Sequence, residues 1–203
     1  MILVVCALPA ELRDFARRDG VEVLAAGIGP VEAAAVTARA LALGTFRAVV
    51  NAGIAGAFRG RAAVGDALLV VEEHLADFGL EGGGPLTLPA GATLAASAAA
   101  DGALVARCAD LGFALGRGVT VSQVTTTGAT AARLERAYAP DVESMEGFAV
   151  LRAAALAAVP AIEIRGISNY VGERAQSAWD FAAGARAASG ALSALLDRME
   201  SAA

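Results

Sequence analysis

Short apolar, β-branched runs alternate with longer helix-patterned stretches along the whole chain, and no other property restricts the fold as much. Strands are expected at 2–7, 21–26, 47–52, 66–72, 118–124 and 160–167. Helices are expected at 9–18, 30–43, about 95–111, 129–138, 143–157 and 177–200. Pro30 just inside one helix start and Gly44 just past its end follow the Pro/Gly asymmetry of helix termini. Such alternation predicts an α/β fold with a central, twisted, mostly parallel (mixed) sheet flanked on both faces by helices. At 203 residues the chain is expected to form one domain, 1–203, large enough to bury a substantial core. The Gly- and Pro-rich stretch Glu81–Gly91 reads as a loop inside it.

Composition removes whole classes of chemistry. Hydrophobic residues reach 57%, a value swollen by alanine, yet charges interrupt every apolar run before the roughly 18–20 residues of a membrane span. Met1–Leu8 lacks a basic leader and meets Glu11 and Arg13 at once, so it reads as a first strand rather than a signal peptide. A cytoplasmic protein without a membrane partner is expected. The net charge of −5 argues against nucleic acid. All sixteen basic residues are arginine, which excludes a Walker lysine and a lysine Schiff base. His74 is the only histidine, and Cys6 and Cys108 stand far apart. Neither a metal site nor a Ser-His-Asp triad has the residues it needs, and no cofactor is expected.

Polar and glycine-rich groups gather where strands end, the usual place for ligands in open α/β sheets. They are Pro9-Ala10-Glu11, Gly27-Ile28-Gly29, Asn51–Gly56, Thr125-Thr126-Thr127-Gly128 and Ser168-Asn169. The Gly27-x-Gly29 pair would place Glu32 where a dinucleotide fingerprint needs its third glycine, against a pyrophosphate, so a tight turn into a helix is the better reading. Asn51–Gly56 reads equally well as a plain turn or as a loop whose backbone N–H groups meet a ligand. Glu11 and Glu146 alone are ordinary first-turn acids, Met145 alone is a core residue, and Asn169 alone is a turn residue. Their arrangement says more: Met145-Glu146 opens a helix and Asn169 ends the next strand, so both side chains can reach one crevice.

Glu11, the Gly27–Gly29 turn, Asn51–Gly56, Val64-Gly65-Asp66, Met145-Glu146 and Arg165–Ser168 follow one another in an order that resembles the nucleoside phosphorylase/nucleosidase superfamily. The likeness lies on the side of 5′-methylthioadenosine/S-adenosylhomocysteine nucleosidase and covers nearly the whole chain. Asn51–Phe58, Glu143–Val150, Glu163–Arg174 and Trp179-Asp180 carry a narrower resemblance to the futalosine hydrolase family of an alternative menaquinone pathway. The region 75–95 is shorter than is typical.

The resemblance implies a nucleoside phosphorylase-like fold and a homo-oligomer, at least a dimer. It also implies hydrolysis of the N-ribosidic bond of futalosine, releasing hypoxanthine and dehypoxanthine futalosine. It makes Glu11 the residue that activates water, Glu146 the ribose-hydroxyl ligand and residue 169 the purine-edge contact.

The chemistry of these side chains suits those roles. Cleaving a ribosyl C–N bond passes through an oxocarbenium-like sugar. Glu11 can orient water and accept its proton. An ionised Glu146 is acceptor only and suits two hydroxyl donors. Met145 then packs on the ribose, and Gly53, Ile54, Ala55, Gly56 and Ser168 line the same pocket. Nucleosidases acting on 6-aminopurines carry aspartate at the position of Asn169. An asparagine NH₂ fits O6 of a 6-oxopurine, and its oxygen fits the N7–H that forms as the base leaves.

Three other readings stand beside this one. They are phosphorolysis with Arg59 and Arg61 around phosphate, hydrolysis of an inosine- or methylthioadenosine-like nucleoside, and a non-catalytic purine-nucleoside binding protein. No residue is assigned to the 5′ substituent. Arg165, Phe58, Phe78 and Trp179 each read more simply as structural.

Overall fold

Every residue of Ile2–Cys6 (β1) is buried, the pattern of a strand covered on both faces. It pairs in parallel with Val21–Ala25 (β2) on one side and Ala48–Ala57 (β3) on the other. The computed structural model describes residues 1–76, 78–80, 88–172 and 179–201. Its remaining strands are Ala67–Leu75 (β4), Ser97–Ala99 (β5), Ala114–Thr120 (β6), Val142–Ser144 (β7) and Ala161–Tyr170 (β8). β3 pairs in parallel with β8, β8 antiparallel with β4, β4 in parallel with β6, β6 in parallel with β7, and β7 antiparallel with β3. Those strands close on themselves. β1 and β2 extend the sheet from β3, and β5 extends it from β4.

The helices are Pro30–Leu43 (α1), Gly102–Arg107 (α2), Gly128–Tyr138 (α3), Gly147–Leu156 (α4) and Phe181–Glu200 (α5). α5 lays Ala188, Leu192, Leu195 and Leu196 on Ile2, Val4, Val50, Ile162 and Ile164. α1 and α4 cover the opposite face, with Ala33, Val150, Leu151 and Ala154 against Leu3, Val5 and Val49. The mixed sheet covered on both faces agrees with the fold class read from the sequence. α5 approaches β8 so closely that a Cβ on Gly166 would lie 2.1 Å from the Gly184 carbonyl oxygen and 2.6 Å from the Ala188 nitrogen. Among the described residues, no helix is long and apolar enough to cross a membrane.

Several expected elements differ. The helix at 9–18 is one 3₁₀ turn, Pro9–Leu12, because Arg13, Asp14, Arg17, Arg18 and Asp19 leave the rest without an apolar face. Asn51–Gly56 is the second half of β3 and not a loop; pairing with β8, and with β7 at its end, overrides the weak strand propensity of glycine and alanine. The helix at 95–111 resolves into β5, α2 and a 3₁₀ turn, with Asp101 capping α2 by accepting from the Leu104 N–H at 2.9 Å. The helix at 143–157 starts at Gly147, since residues 142–144 form β7. The strand at 118–124 runs instead from Ala114 to Thr120. Residues 81–87 of the expected loop, and 177–178 of the expected last helix, lie outside the described residues.

Candidate active site

The 3₁₀ turn after β1 places Glu11, only 4% exposed, against the middle of β3. Its Oε2 accepts from the Leu8 N–H at 2.9 Å and its Oε1 from the Ile54 N–H at 3.1 Å. Burial pushes the Glu11 carboxyl above its ordinary value, against the opposing pull of the Leu8 N–H, the Arg165 charge and the Ile54 N–H. The Ile54 N–H, expected to meet a ligand, is therefore spent on Glu11. Gly53 stands behind that contact: a Cβ there would lie 3.0 Å from both Glu11 Oε1 and Arg165 Nη1.

Glu146 stands at the N-cap position of α4, in the turn that follows β7, with its side chain free of the helix end, and is 6% exposed. Its Oε1 accepts from the Gly29 N–H at 2.8 Å. Gly29 holds φ at 96°, where a side chain would be strained, so the Gly27–Gly29 turn serves to hold a carboxylate. Asn169 lies inside β8 and not in a turn beyond it. A bulge at Ser168 shifts the register so that Asn169, and not Ser168, stands opposite Gly56. Gly56 leaves the room, since a Cβ there would come within 3.0 Å of Asn169 Nδ2. The Ser168 hydroxyl donates to Asn169 Oδ1 at 2.8 Å, which fixes the amide and turns its NH₂ towards Gly56.

Glu11, Glu146, Asn169, Met145, Ser168, Ile54, Ala55 and Gly56 all line one cavity of about 530 Å³; Gly53 does not. Ile28, Val124, Tyr170, Trp179 and Phe181 complete its apolar wall. Trp179 is thus a cavity residue, whereas Phe58 is a core residue packed with Val119 and Leu134.

The Phosphorylase superfamily model matches residues 16–200. The chain is 40% identical over 179 residues to the futalosine hydrolase of Streptomyces coelicolor, covering 79% of this chain and 72% of that one. It is 37% identical over 196 residues to the futalosine hydrolase of Acidothermus cellulolyticus, covering 92% and 78%. The chain belongs to the futalosine hydrolase family of the phosphorylase superfamily. The native structure of Helicobacter pylori futalosine hydrolase superposes with a TM-score of 0.82 over 97% of each chain at 19% identity, a likeness of fold.

Behind the cavity, this futalosine hydrolase-family chain buries a charge network that the sequence did not disclose. Arg165, 1% exposed, donates from Nε to Glu163 Oε1 at 2.7 Å and from Nη1 to the Ile54 carbonyl at 3.4 Å. The Asn51 amide bridges Arg165 Nη2, at 2.7 Å to its oxygen, and the Val5 carbonyl, at 3.2 Å from its nitrogen. Burial works against the Arg165 charge, but Glu163, Glu146 and Glu11 around it raise its proton affinity further, and it stays a cation. Glu163 and Glu73 are both 0% exposed and meet over Gly147, where a Cβ would lie 2.3 Å from Glu73 Oε1 and 2.7 Å from Glu163 Oε1. Gly118 makes further room, with its Cβ position 2.0 Å from Glu73 Oε1.

The Thr120 hydroxyl donates to Glu73 Oε2 at 2.7 Å and accepts from the Phe148 N–H at 2.8 Å. Burial, then the neighbouring Glu163 charge, hold the Glu73 carboxyl well above its ordinary value, which favours its protonated form. Glu73 Oε1 and Glu163 Oε2 are buried with no other hydrogen-bond partner among the described residues, so a proton on Glu73 can lie between the two carboxyl groups and leave one negative charge to balance Arg165.

The arginines considered for phosphate lie elsewhere. Arg61 pairs with Asp141 at 3.7 Å, and Arg59 stacks over Tyr170 with its guanidinium carbon 5.4 Å from the ring centre. Among the described residues, no arginine lines the cavity.

Proposed function

We propose that the chain hydrolyses the N-ribosidic bond of futalosine, releasing hypoxanthine and dehypoxanthine futalosine within the futalosine route to menaquinone. One observation carries the reading: Glu11, Glu146 and Asn169, from three separate elements, line a single cavity with apolar walls. Glu11, held by two backbone N–H groups, orients water and takes its proton. Its raised proton affinity suits a base working near neutral pH.

Glu146 accepts the ribose hydroxyl protons and stabilises charge building on the sugar. Met145 packs on the ribose. Asn169, with its oxygen turned by Ser168, donates to O6 and accepts the N7–H of the departing base. The hydroxide of water ends on C1′ and its proton on Glu11; the base draws its N7 proton from solvent, and Glu11 returns one proton to solvent to close the cycle. Arg165 faces Glu11 from behind and holds it in place as a counter-charge.

The whole chain works as one domain without metal or cofactor and acts as a homo-oligomer, at least a dimer. An apolar groove of about 730 Å³ between α1 and α4 supports that assembly. Val31 and Leu156 line it at 78% and 71% exposure. Buried, unpaired Cys6 and Cys108 accord with a reducing, cytoplasmic setting.

The test is base release from futalosine by wild type and Glu11→Gln, with and without phosphate. Hypoxanthine should appear from wild type in both buffers, and the variant should bind futalosine but turn over on the order of 10²–10⁴-fold more slowly. Release that requires phosphate overturns the hydrolase reading, and full activity in Glu11→Gln overturns the role of Glu11.

A further inference from the structure

Glu143 on β7 stands directly opposite Gly56 of β3, and Gly56 stands opposite Asn169 of β8. One row across three strands therefore sets Glu143 and Asn169 on either side of a residue with no side chain. At ~4.8 Å per strand step their backbones are roughly 10 Å apart, wide enough for a flat base between them. Both side chains line the cavity. Glu143 is 6% exposed, and its Oε1 accepts from the Thr125 N–H at 2.9 Å. Its Oε2 is buried and has no hydrogen-bond partner among the described residues. Native proteins rarely leave a buried carboxylate oxygen so, because its desolvation is then uncompensated. A cavity-lining acceptor of this kind marks where a donor on the ligand belongs.

The chemistry of the base names that donor. With Asn169 on O6 and N7, the next group round the ring is N1. A 6-oxopurine carries a hydrogen there, whereas a 6-aminopurine presents a bare lone pair that a carboxylate repels. Resting on the reading of the cavity as a 6-oxopurine nucleosidase site, we infer that Glu143 is a specificity-determining residue that accepts the N1–H of the base while Thr125 holds its other oxygen. Asn169 and Glu143 then read opposite sides of O6, and only a base with the lactam pattern satisfies both. Burial raises the Glu143 carboxyl and the Thr125 hydrogen bonds oppose it; an N1–H adds to the bonds that favour the ionised form.

The experiment is calorimetric titration of hypoxanthine, 1-methylhypoxanthine and adenine into wild type, Glu143→Gln and Glu143→Ala, with base release from futalosine measured alongside. Wild type should bind hypoxanthine at least ~30-fold more tightly than either other base, since a site built around a donor rejects analogues that lack it. Glu143→Ala should bring 1-methylhypoxanthine within about 5-fold of hypoxanthine by removing the acceptor that required the hydrogen. Glu143→Gln keeps the Thr125 contact and adds an NH₂ facing N1, so it should narrow the hypoxanthine-to-adenine ratio.

The wild-type comparison needs no variant to fold. A wild-type ratio near one, or an unchanged ratio in Glu143→Ala, overturns the assignment. If futalosine is cleaved while the wild-type ratio is flat, only the role of Glu143 fails. If adenine binds best and futalosine is not cleaved, the 6-oxopurine reading fails with it.

Discussion

Replacing Glu73 by glutamine removes an ionisable group from the interior while keeping its shape and hydrogen bonds. The amide oxygen can accept from Thr120 as Glu73 Oε2 does, and the NH₂ can donate to Glu163 as a protonated Glu73 would. Glu73 starts from an ordinary value of 4.5 and is held well above it, chiefly by burial. Between those limits the folded chain keeps one proton that the unfolded chain has released. Stability then falls as pH rises, by about 1.4 kcal/mol per pH unit for a single retained proton. Glutamine has no proton to lose, so that slope is absent in the variant.

As pH rises above the ordinary carboxylate range the variant should gain on wild type, by at most about 1.4 kcal/mol per pH unit, until Glu73 loses its proton in the folded chain. Glu11 and Glu143 titrate in both proteins and cancel in the difference. Urea denaturation at three pH values measures it, with equal m-values as the check that both unfold alike. A stability gap independent of pH would show that Glu73 is ionised in the folded chain, and the proton-sharing account of the pair would be wrong.

The acid limb of the kcat/KM profile should lie above the ordinary carboxylate range, because Glu11 must lose a proton its burial retains; a limb at or below 4.5 would exclude Glu11 as the base. Asn169→Asp should shift preference from hypoxanthine towards adenine nucleosides by at least ~10-fold in relative kcat/KM, and unchanged selectivity would refute the base-edge role. Leu156→Glu, placed at 71% exposure in the apolar groove, should shift the chain to monomer in sedimentation velocity if that face joins two copies. Gly166→Ala should cost roughly 3 kcal/mol or more of stability, since its Cβ would meet the α5 backbone rather than a movable side chain.

Local signals made α1, β1, β2 and the bulk of α5 legible, because apolar periodicity, Pro30 and Gly44 act within a few residues of themselves. The placement of Glu146 and Asn169 on one cavity was legible for a similar reason: a helix start and the following strand fix their ends relative to each other. β3 was harder. Its Asn51–Gly56 half looks like a turn because it lacks side chains, and it lacks them so that Glu11, Arg165 and Asn169 can occupy the space. Glu73 carries no signal in the sequence, since nothing nearby announces Glu163, Thr120 or Gly118. Arg165 reads as structural for a like reason: apart from Glu163, the residues that hold it, Asn51 and Ile54, sit on β3, far away in sequence. Ser168 shows no sign of a bulge, which belongs to the pairing and not to the residue. The alanine stretch before Asp101 favours helix by propensity alone, and β4 draws part of it into a strand.

Closure of the strand ring ties the order of synthesis to the chemistry of the interior. β3 and β4 leave the ribosome well before β8, the strand that joins them. Until then each offers a bare row of backbone donors and acceptors flanked by valine and leucine, a template for pairing with another chain. β8 brings Glu163, Arg165 and Asn169 together, so the partner of Glu73, the counter-charge of Glu11 and the amide proposed to read the base arrive in one step. Pairing over such a separation favours slow folding, in the millisecond-to-second range of non-local topologies. A chain that has assembled its site has therefore also sealed its most aggregation-prone edges, so a substitution that delays β8 docking would lower soluble yield before it lowered the activity of the molecules that fold.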